Sequence, residues 1–239
     1  MSLNLTDAGP LPDNIEEEVR EHLEDLVWEV FIDTAHEDYL SARFMALNGM
    51  QRHFYWCAMQ TMEKYFKAYL LFNGYKVKDK GHKIIGMFDT LKRDGKIDFL
   101  NDLNVPEGFE SSGWSVEWGN VKLRDYVDKI NDYGSPSSRY DCVGYQYMVT
   151  DLFKLDCFVS QFGQGADKIL ADNKELKKYL YDFNYFYSTD DHEDPSLVGI
   201  SLARGRVTKI EQLLNGLHGN TGIYKRWISK NIQYDQRLI

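Results

Sequence analysis

Apolar positions recur at helical spacing along most of this chain. Leu23, Leu26, Val27 and Val30 fall three and four apart behind a run of acids, which predicts a helix over residues 15–32, with Asp13 or Asn14 as its N-cap. A second amphipathic stretch covers residues 33–47, with Ala35, Tyr39, Ala42 and Phe44 on its apolar side and Asn48-Gly49 as its stop. The strongest pattern lies in residues 51–72. Tyr55, Met59, Met62, Phe66 and Tyr69 keep a four-three-four-three spacing, so they form one buried stripe. Glu63 precedes Lys67 by four, the favourable order for an ion pair on a helix.

The later chain reads less evenly. A short helix is expected around residues 82–93. Residues 94–119 hold Gly95, Pro106, Gly108, Gly113 and Gly119 without helical period, so they read as a long loop with two exposed tryptophans, Trp114 and Trp118. Further helices are expected over residues 120–132, 139–171 (bent near Gly163), 174–187, 206–217 and 222–235. No alternating strand pattern persists. Short connections between successive helices imply antiparallel neighbours, so the expected fold is all-α, an antiparallel up-and-down helical bundle with additional C-terminal helices. The expected organisation is an N-terminal lead-in and helix over residues 1–32, a bundle over 33–171 and a helical extension over 172–239.

Charge sharpens this picture. The chain has 239 residues and a net charge of −9. That disfavours indiscriminate binding to nucleic acid or anionic membrane. Yet residues 204–239 carry seven basic side chains against two acidic ones, so the acidity belongs to the rest of the chain. Within that section Lys225, Arg226, Trp227 and Lys230 interleave cations with an aromatic, which suits phosphates and stacked bases. Tyr224, Trp227 and Ile228 are equally the spacing of a docking helix. The 3 cysteines, Cys57, Cys142 and Cys157, form no CxxC pair and read as reduced intracellular thiols. The beginning of the chain lacks a basic and an apolar signal region, and no apolar run approaches a membrane span of about 20 residues. A cytoplasmic protein that does not cross a membrane is therefore expected.

Familiar chemical signatures are missing. There is no HExxH, no GxxxxGK[ST] and no GxSxG. Two clusters, His36-Glu37-Asp38 and His192-Glu193-Asp194, place adjacent residues that point in different directions, so neither makes a metal site by itself. No metal and no cofactor are expected.

One segment carries more. Gln60, Glu63, Lys64, Lys67, Ala68 and Leu70 fall on a Q-x-x-E-K-x-x-K-A-x-L pattern. Upstream stand Asp38-Tyr39-Leu40-Ser41-Ala42-Arg43 and Asn48-Gly49; downstream stand Gly74, Gly81-His82-Lys83-Ile84 and Ser138-Arg139-Tyr140. In this order, over about residues 33–165, the set resembles the HEPN family. The resemblance implies a bundle that often dimerises, and a role as a ribonuclease or as the partner of a nucleotidyltransferase in toxin–antitoxin and defence modules. The catalytic pattern of that family is an arginine, four to six residues, then a histidine.

This chain departs from that pattern. After Arg139 the required positions hold Gly144, Tyr145 and Gln146. Tyrosine, with a pKa of roughly 10, is a poor base at neutral pH. The expectation is thus a helical binding module for nucleotide, RNA or a protein partner, lacking the usual dyad. The alternative is a divergent, metal-independent ribonuclease that pairs Arg139 with a histidine from elsewhere, such as His82 or His53. Arg139, Tyr140, Lys64, Lys67 and His82 are the ligand-binding candidates. His82 reads more readily as the residue that caps or orients the third helix of the bundle, and Glu63, Lys64 and Lys67 as a solvated face.

Overall fold

A computed structural model describes residues 3–9, 15–95, 97, 99–104, 121–139, 148–169, 226–228 and 230–232. The chain is all-α, and among the described residues no strand forms; one isolated antiparallel bridge joins Asp102 and Lys122. In chain order the helices are α1 (Glu16–Val27), α2 (Thr34–Leu47), α3 (Gln51–Phe72), α4 (Ile84–Asp94), α5 (Leu123–Gly134) and α6 (Val149–Ile169). Three-residue and four-residue 3-10 turns occupy Thr6–Ala8 and Pro136–Arg139. Two compact units divide the chain: residues 1–35, 63–96 and 198–239 in the first, residues 36–62 and 97–197 in the second.

The stripe read from the sequence is the buried face of α3. Tyr55, Met59, Met62, Phe66 and Tyr69 are all at most 1% exposed. Each such side chain contributes about 1.5–3 kcal/mol on leaving water.

In the first unit, Val19, Leu23, Leu26 and Val27 of α1 are buried. No side chain caps α1; Glu16, Glu17 and Glu18 instead place negative charge against the positive end of its dipole. The expected N-caps, Asp13 and Asn14, lie outside the described residues. The helix does not simply stop at Ile32 either. Trp28–Asp33 forms a π-helical turn that leads into α2, and it buries Trp28, Phe31 and Ile32. The indole Nε1 of Trp28 donates to Asp33 Oδ1 at 3.1 Å. Ile84, Met87, Phe88 and Leu91 line the inner face of α4, and Phe88 meets Phe66 at 5.8 Å between ring centres.

The C-terminal part of the first unit is held by named bonds. Trp227, 1% exposed, donates its Nε1 proton to the Asn4 carbonyl at 2.8 Å. Arg226 Nε donates to the Ala8 carbonyl at 3.0 Å. The amide of Val77 donates to the Asn231 carbonyl at 3.1 Å. Residues 226–228 and 230–231 are helical, inside the helix expected over 222–235.

In the second unit, Leu123, Tyr126, Val127, Ile130 and Gly134 of α5 are buried. Phe158 stacks on Phe162 at 4.3 Å along α6, and Phe99 meets Phe162 edge-on at 5.1 Å. Gln161 ties a loop to α6: its amide donates to the carbonyls of Phe99 and Asp102, and its oxygen accepts from the Asn104 amide at 3.0 Å. Phe44 departs from expectation. It is 45% exposed, whereas Ala46, four after Ala42, is buried: the core face of α2 runs Ala35, Tyr39, Ala42 and Ala46, and Phe44 stands off it. The helices expected over 174–187 and 206–217, and the tryptophans Trp114 and Trp118, lie outside the described residues.

Candidate functional site

The motif on α3 converges with the Gly-His element that follows it. Glu63 is buried, and its carboxylate accepts on both oxygens. Lys67 Nζ lies 2.7 Å from Oε1, and His82 Nδ1 lies 2.8 Å from Oε2. Side-chain exposure is 5% for Glu63, 16% for Lys67 and 62% for His82, so this is a buried anion with one partner presented to solvent. Lys64 turns elsewhere, donating to the Thr34 carbonyl at 3.2 Å. The solvated-face reading therefore fails for Glu63 and Lys67: the pair is almost enclosed, because an ionised carboxylate inside a protein requires donors. The side chain of His82 does not cap α4, although its carbonyl accepts from the Ile84 amide at 3.1 Å at the start of that helix. Lys83 precedes the first turn of α4, and no side chain caps it; the imidazole is held by Glu63 instead.

A second arrangement in the first unit was not read from the sequence. The connection from α3 to α4 runs Lys76-Val77-Lys78-Asp79-Lys80-Gly81-His82-Lys83, four lysines against one acid. Its signal was a local charge run inside an acidic chain. Val77 is 3% exposed and anchors the segment, while Lys76, Lys78 and Lys83 are exposed. Lys230 arrives from far along the chain. Asp7 binds both: its Oδ2 lies 2.7 Å from Lys76 Nζ and its Oδ1 lies 3.6 Å from Lys230 Nζ. The hydrogen bond from Lys76, with the charges of Lys76 and Lys230, holds the Asp7 carboxyl below the usual carboxylate range, against a smaller opposing effect of burial. Arg226 is also exposed. Lys225 lies outside the described residues.

The second unit holds buried polar groups that the sequence reading missed. Asp151, wholly buried, accepts from Lys129 Nζ at 2.8 Å, from the Tyr55 hydroxyl at 2.7 Å and from the Met148 amide at 3.1 Å. That last bond satisfies the first N–H before α6, as an acid at the third helical position does. Tyr126 donates to the Asp151 carbonyl at 2.7 Å. Further along α6, Asp156 accepts from the Tyr39 hydroxyl at 2.6 Å and pairs with Arg43. Burial pushes the Asp156 carboxyl up, and Arg43 and the two hydrogen bonds oppose it. Burial, reinforced by Asp156, pushes the Tyr39 hydroxyl well up. The neighbouring Cys157 thiol is pushed up by burial and then by Asp156, so it is an inert core residue. Two acids inside the apolar run of α6 were the only hint.

Arg139 ends the turn Pro136–Arg139 in the second unit, and its side chain and Tyr140 lie outside the described residues. His82, Lys64, Lys67, Arg226, Trp227 and Lys230 belong to the first unit. Among the described residues no cluster of histidine, cysteine and acidic side chains could hold a metal ion, and no helix is long and apolar enough to cross a membrane.

What the first unit offers chemically is cationic. It presents ammonium groups, a guanidinium and an imidazole whose Nδ1 is engaged, which leaves Nε2 to donate or accept. Phosphate oxygens are the natural complement of such groups. No protein-family model matches this chain, and comparison with curated proteins and with solved structures likewise gives no match.

Proposed function

We propose that this chain is a HEPN-like helical binding module, built as an up-and-down bundle, that takes the phosphates of RNA on the basic surface of its first unit. The observation that carries this reading is the meeting of Lys76 and Lys230 at Asp7, 2.7 and 3.6 Å away, beside the lysine-rich connection to α4. In a chain of net charge −9 this connection is locally basic, with four lysines against one acid. Like-charged side chains repel, so such a gathering costs stability unless an anion offsets it. The dipole of α4 adds positive potential beside Lys83. Burial of Trp227 assigns that residue to packing; Lys230 faces a ligand, with the exposed guanidinium of Arg226, whose Nε is held by the Ala8 carbonyl, on the same helical segment.

In this reading the Glu63–Lys67–His82 cluster is a support that fixes the connection to α3. A homodimer and a nucleotidyltransferase partner belong to the same proposal and come from the family resemblance; a cytoplasmic setting belongs to it as well and comes from the sparse cysteines without a CxxC pair. The test is titration of the purified protein into fluorescently labelled single-stranded RNA, beside a variant carrying Lys78→Gln, Lys80→Gln and Lys83→Gln. Binding by the native chain and a loss of at least about tenfold in the variant are expected, since every lysine removed deprives a phosphate of its cation and releases fewer counterions on binding. Equal affinities would overturn the reading.

One observation favours a second reading, the divergent ribonuclease. His82 Nδ1 is engaged by a buried carboxylate while the side chain is 62% exposed, the arrangement of an oriented proton-transfer group. Cleavage of labelled RNA that disappears with His82→Ala would favour it, and cleavage that disappears with Arg139→Ala would identify the arginine of that mechanism. No cleavage by the native protein would sink it.

A further inference from the structure

We infer that Asp7 occupies, within the protein itself, the position a phosphate takes between Lys76 and Lys230, so that this carboxylate sets the affinity of the basic surface. The inference rests on the phosphate-binding reading above. Asp7 is held as an anionic ligand would be. Oδ2 faces Lys76 Nζ at 2.7 Å and the side-chain amide of Asn231 at 3.5 Å, and Oδ1 faces Lys230 Nζ at 3.6 Å. The carboxylate is 14% exposed, whereas the two lysine side chains are 52% and 55% exposed. Both ammonium groups therefore reach water on their outer sides while one anion holds their inner sides. The donor set is made of separate pieces of chain: Lys76 from the α3–α4 connection, and Lys230 and the buried Asn231 from the C-terminal segment.

A phosphate diester carries the same charge sign as Asp7 and offers two unesterified oxygens at similar separation. It competes for the same donors, and Asp7 repels it. Asp7 sits in a three-residue turn, Thr6–Ala8, whose neighbours are fixed by Trp227 and Arg226 rather than by the carboxylate alone. The turn therefore keeps its anchors when a phosphate draws the lysines outward.

The experiment compares the full chain with Asp7→Asn, Lys76→Gln/Lys230→Gln, and the triple variant that combines them. The probe is a labelled single-stranded oligoribonucleotide, titrated at several salt concentrations. Asp7→Asn is expected to bind at least about threefold more tightly, with a salt slope steeper by about 0.7, the value for one more single-strand phosphate. The gain should vanish in the triple variant, and Lys76→Gln/Lys230→Gln should bind more weakly than the native chain. Unchanged or weaker binding by Asp7→Asn, with the native chain still binding, overturns the inference and leaves the phosphate-binding reading standing. Native affinity in Lys76→Gln/Lys230→Gln overturns the inference together with the observation that carries the phosphate-binding reading, a comparison that holds even if Asp7→Asn fails to fold. Absence of binding by every form overturns both.

Discussion

Gly134 and Tyr55 approach each other with no room to spare: a Cβ at residue 134 would stand 2.4 Å from the Tyr55 carbonyl oxygen and 2.7 Å from Met59 Cβ. The carbonyl belongs to the backbone of α3 and has little freedom to move. Gly134→Ala should therefore cost about 1–3 kcal/mol by overpacking. Gly86 in α4 is the contrast, exposed and with nothing within 4 Å of its missing Cβ. Gly86→Ala should stabilise by up to about 1 kcal/mol. Urea unfolding of the two variants checks both signs. A neutral Gly134→Ala would mean that α5 and α3 do not approach so closely.

Asp151 ties Lys129, Tyr55 and the start of α6 together in a wholly buried place. Asp151→Ala leaves a largely buried ammonium and a buried hydroxyl without their acceptor, and should cost about 3–5 kcal/mol. Tyr55→Phe removes one donor and keeps the ring, and should cost about 1.5–3 kcal/mol as a hydrogen bond to a charged group. Thermal unfolding followed by circular dichroism gives the order. A larger loss for Tyr55→Phe than for Asp151→Ala would contradict the assignment of Asp151 as the hub.

Asp7 gives a pH prediction with a definite sign. Its bond to Lys76 holds its pKa below the ordinary value of 3.8. The folded state thus favours the charged form, and its contribution to stability is complete above the ordinary value. It is lost as pH falls through the lowered folded value. Asp7→Asn should flatten the acid limb of the stability curve below about pH 4 and leave its shape above about pH 6 unchanged. A native acid limb with the same slope as that of the variant would show that Asp7 is not held by the lysines.

Much of the fold is legible in the sequence where one strong period decides the outcome. The α3 stripe needs only spacing, because aromatic and methionine side chains at four-three intervals have nowhere else to go. The α4 helix is readable for the same reason. Phe44 stands two residues from Ala42, off the face that Ala35, Tyr39, Ala42 and Ala46 keep at four-three-four spacing, so it faces water although it is aromatic. The π-helical turn at Trp28–Asp33 is invisible, since one extra residue in a turn leaves local composition unchanged. The Glu63–Lys67 pair is legible as a four-residue spacing on one helix, but the burial of Glu63, Asp151 and Asp156 is decided by partners distant in the chain: His82, Lys129 and Tyr55, Arg43 and Tyr39. Those pairings are tertiary facts. The lysine run before α4 stands in plain view, but nothing local joins it to Lys230 and Asp7.

The most direct test of a phosphate-binding surface is the slope of log Kd against log salt for a short single-stranded RNA. Engagement of three to five cations among Lys76, Lys78, Lys80, Lys83, Arg226 and Lys230 predicts a slope of magnitude about 2–3.5, at about 0.7 per phosphate. Replacing Lys78, Lys80 and Lys83 by glutamine should bring it below about 1.5. A slope near zero in the native chain, or one that those replacements leave untouched, would contradict the account.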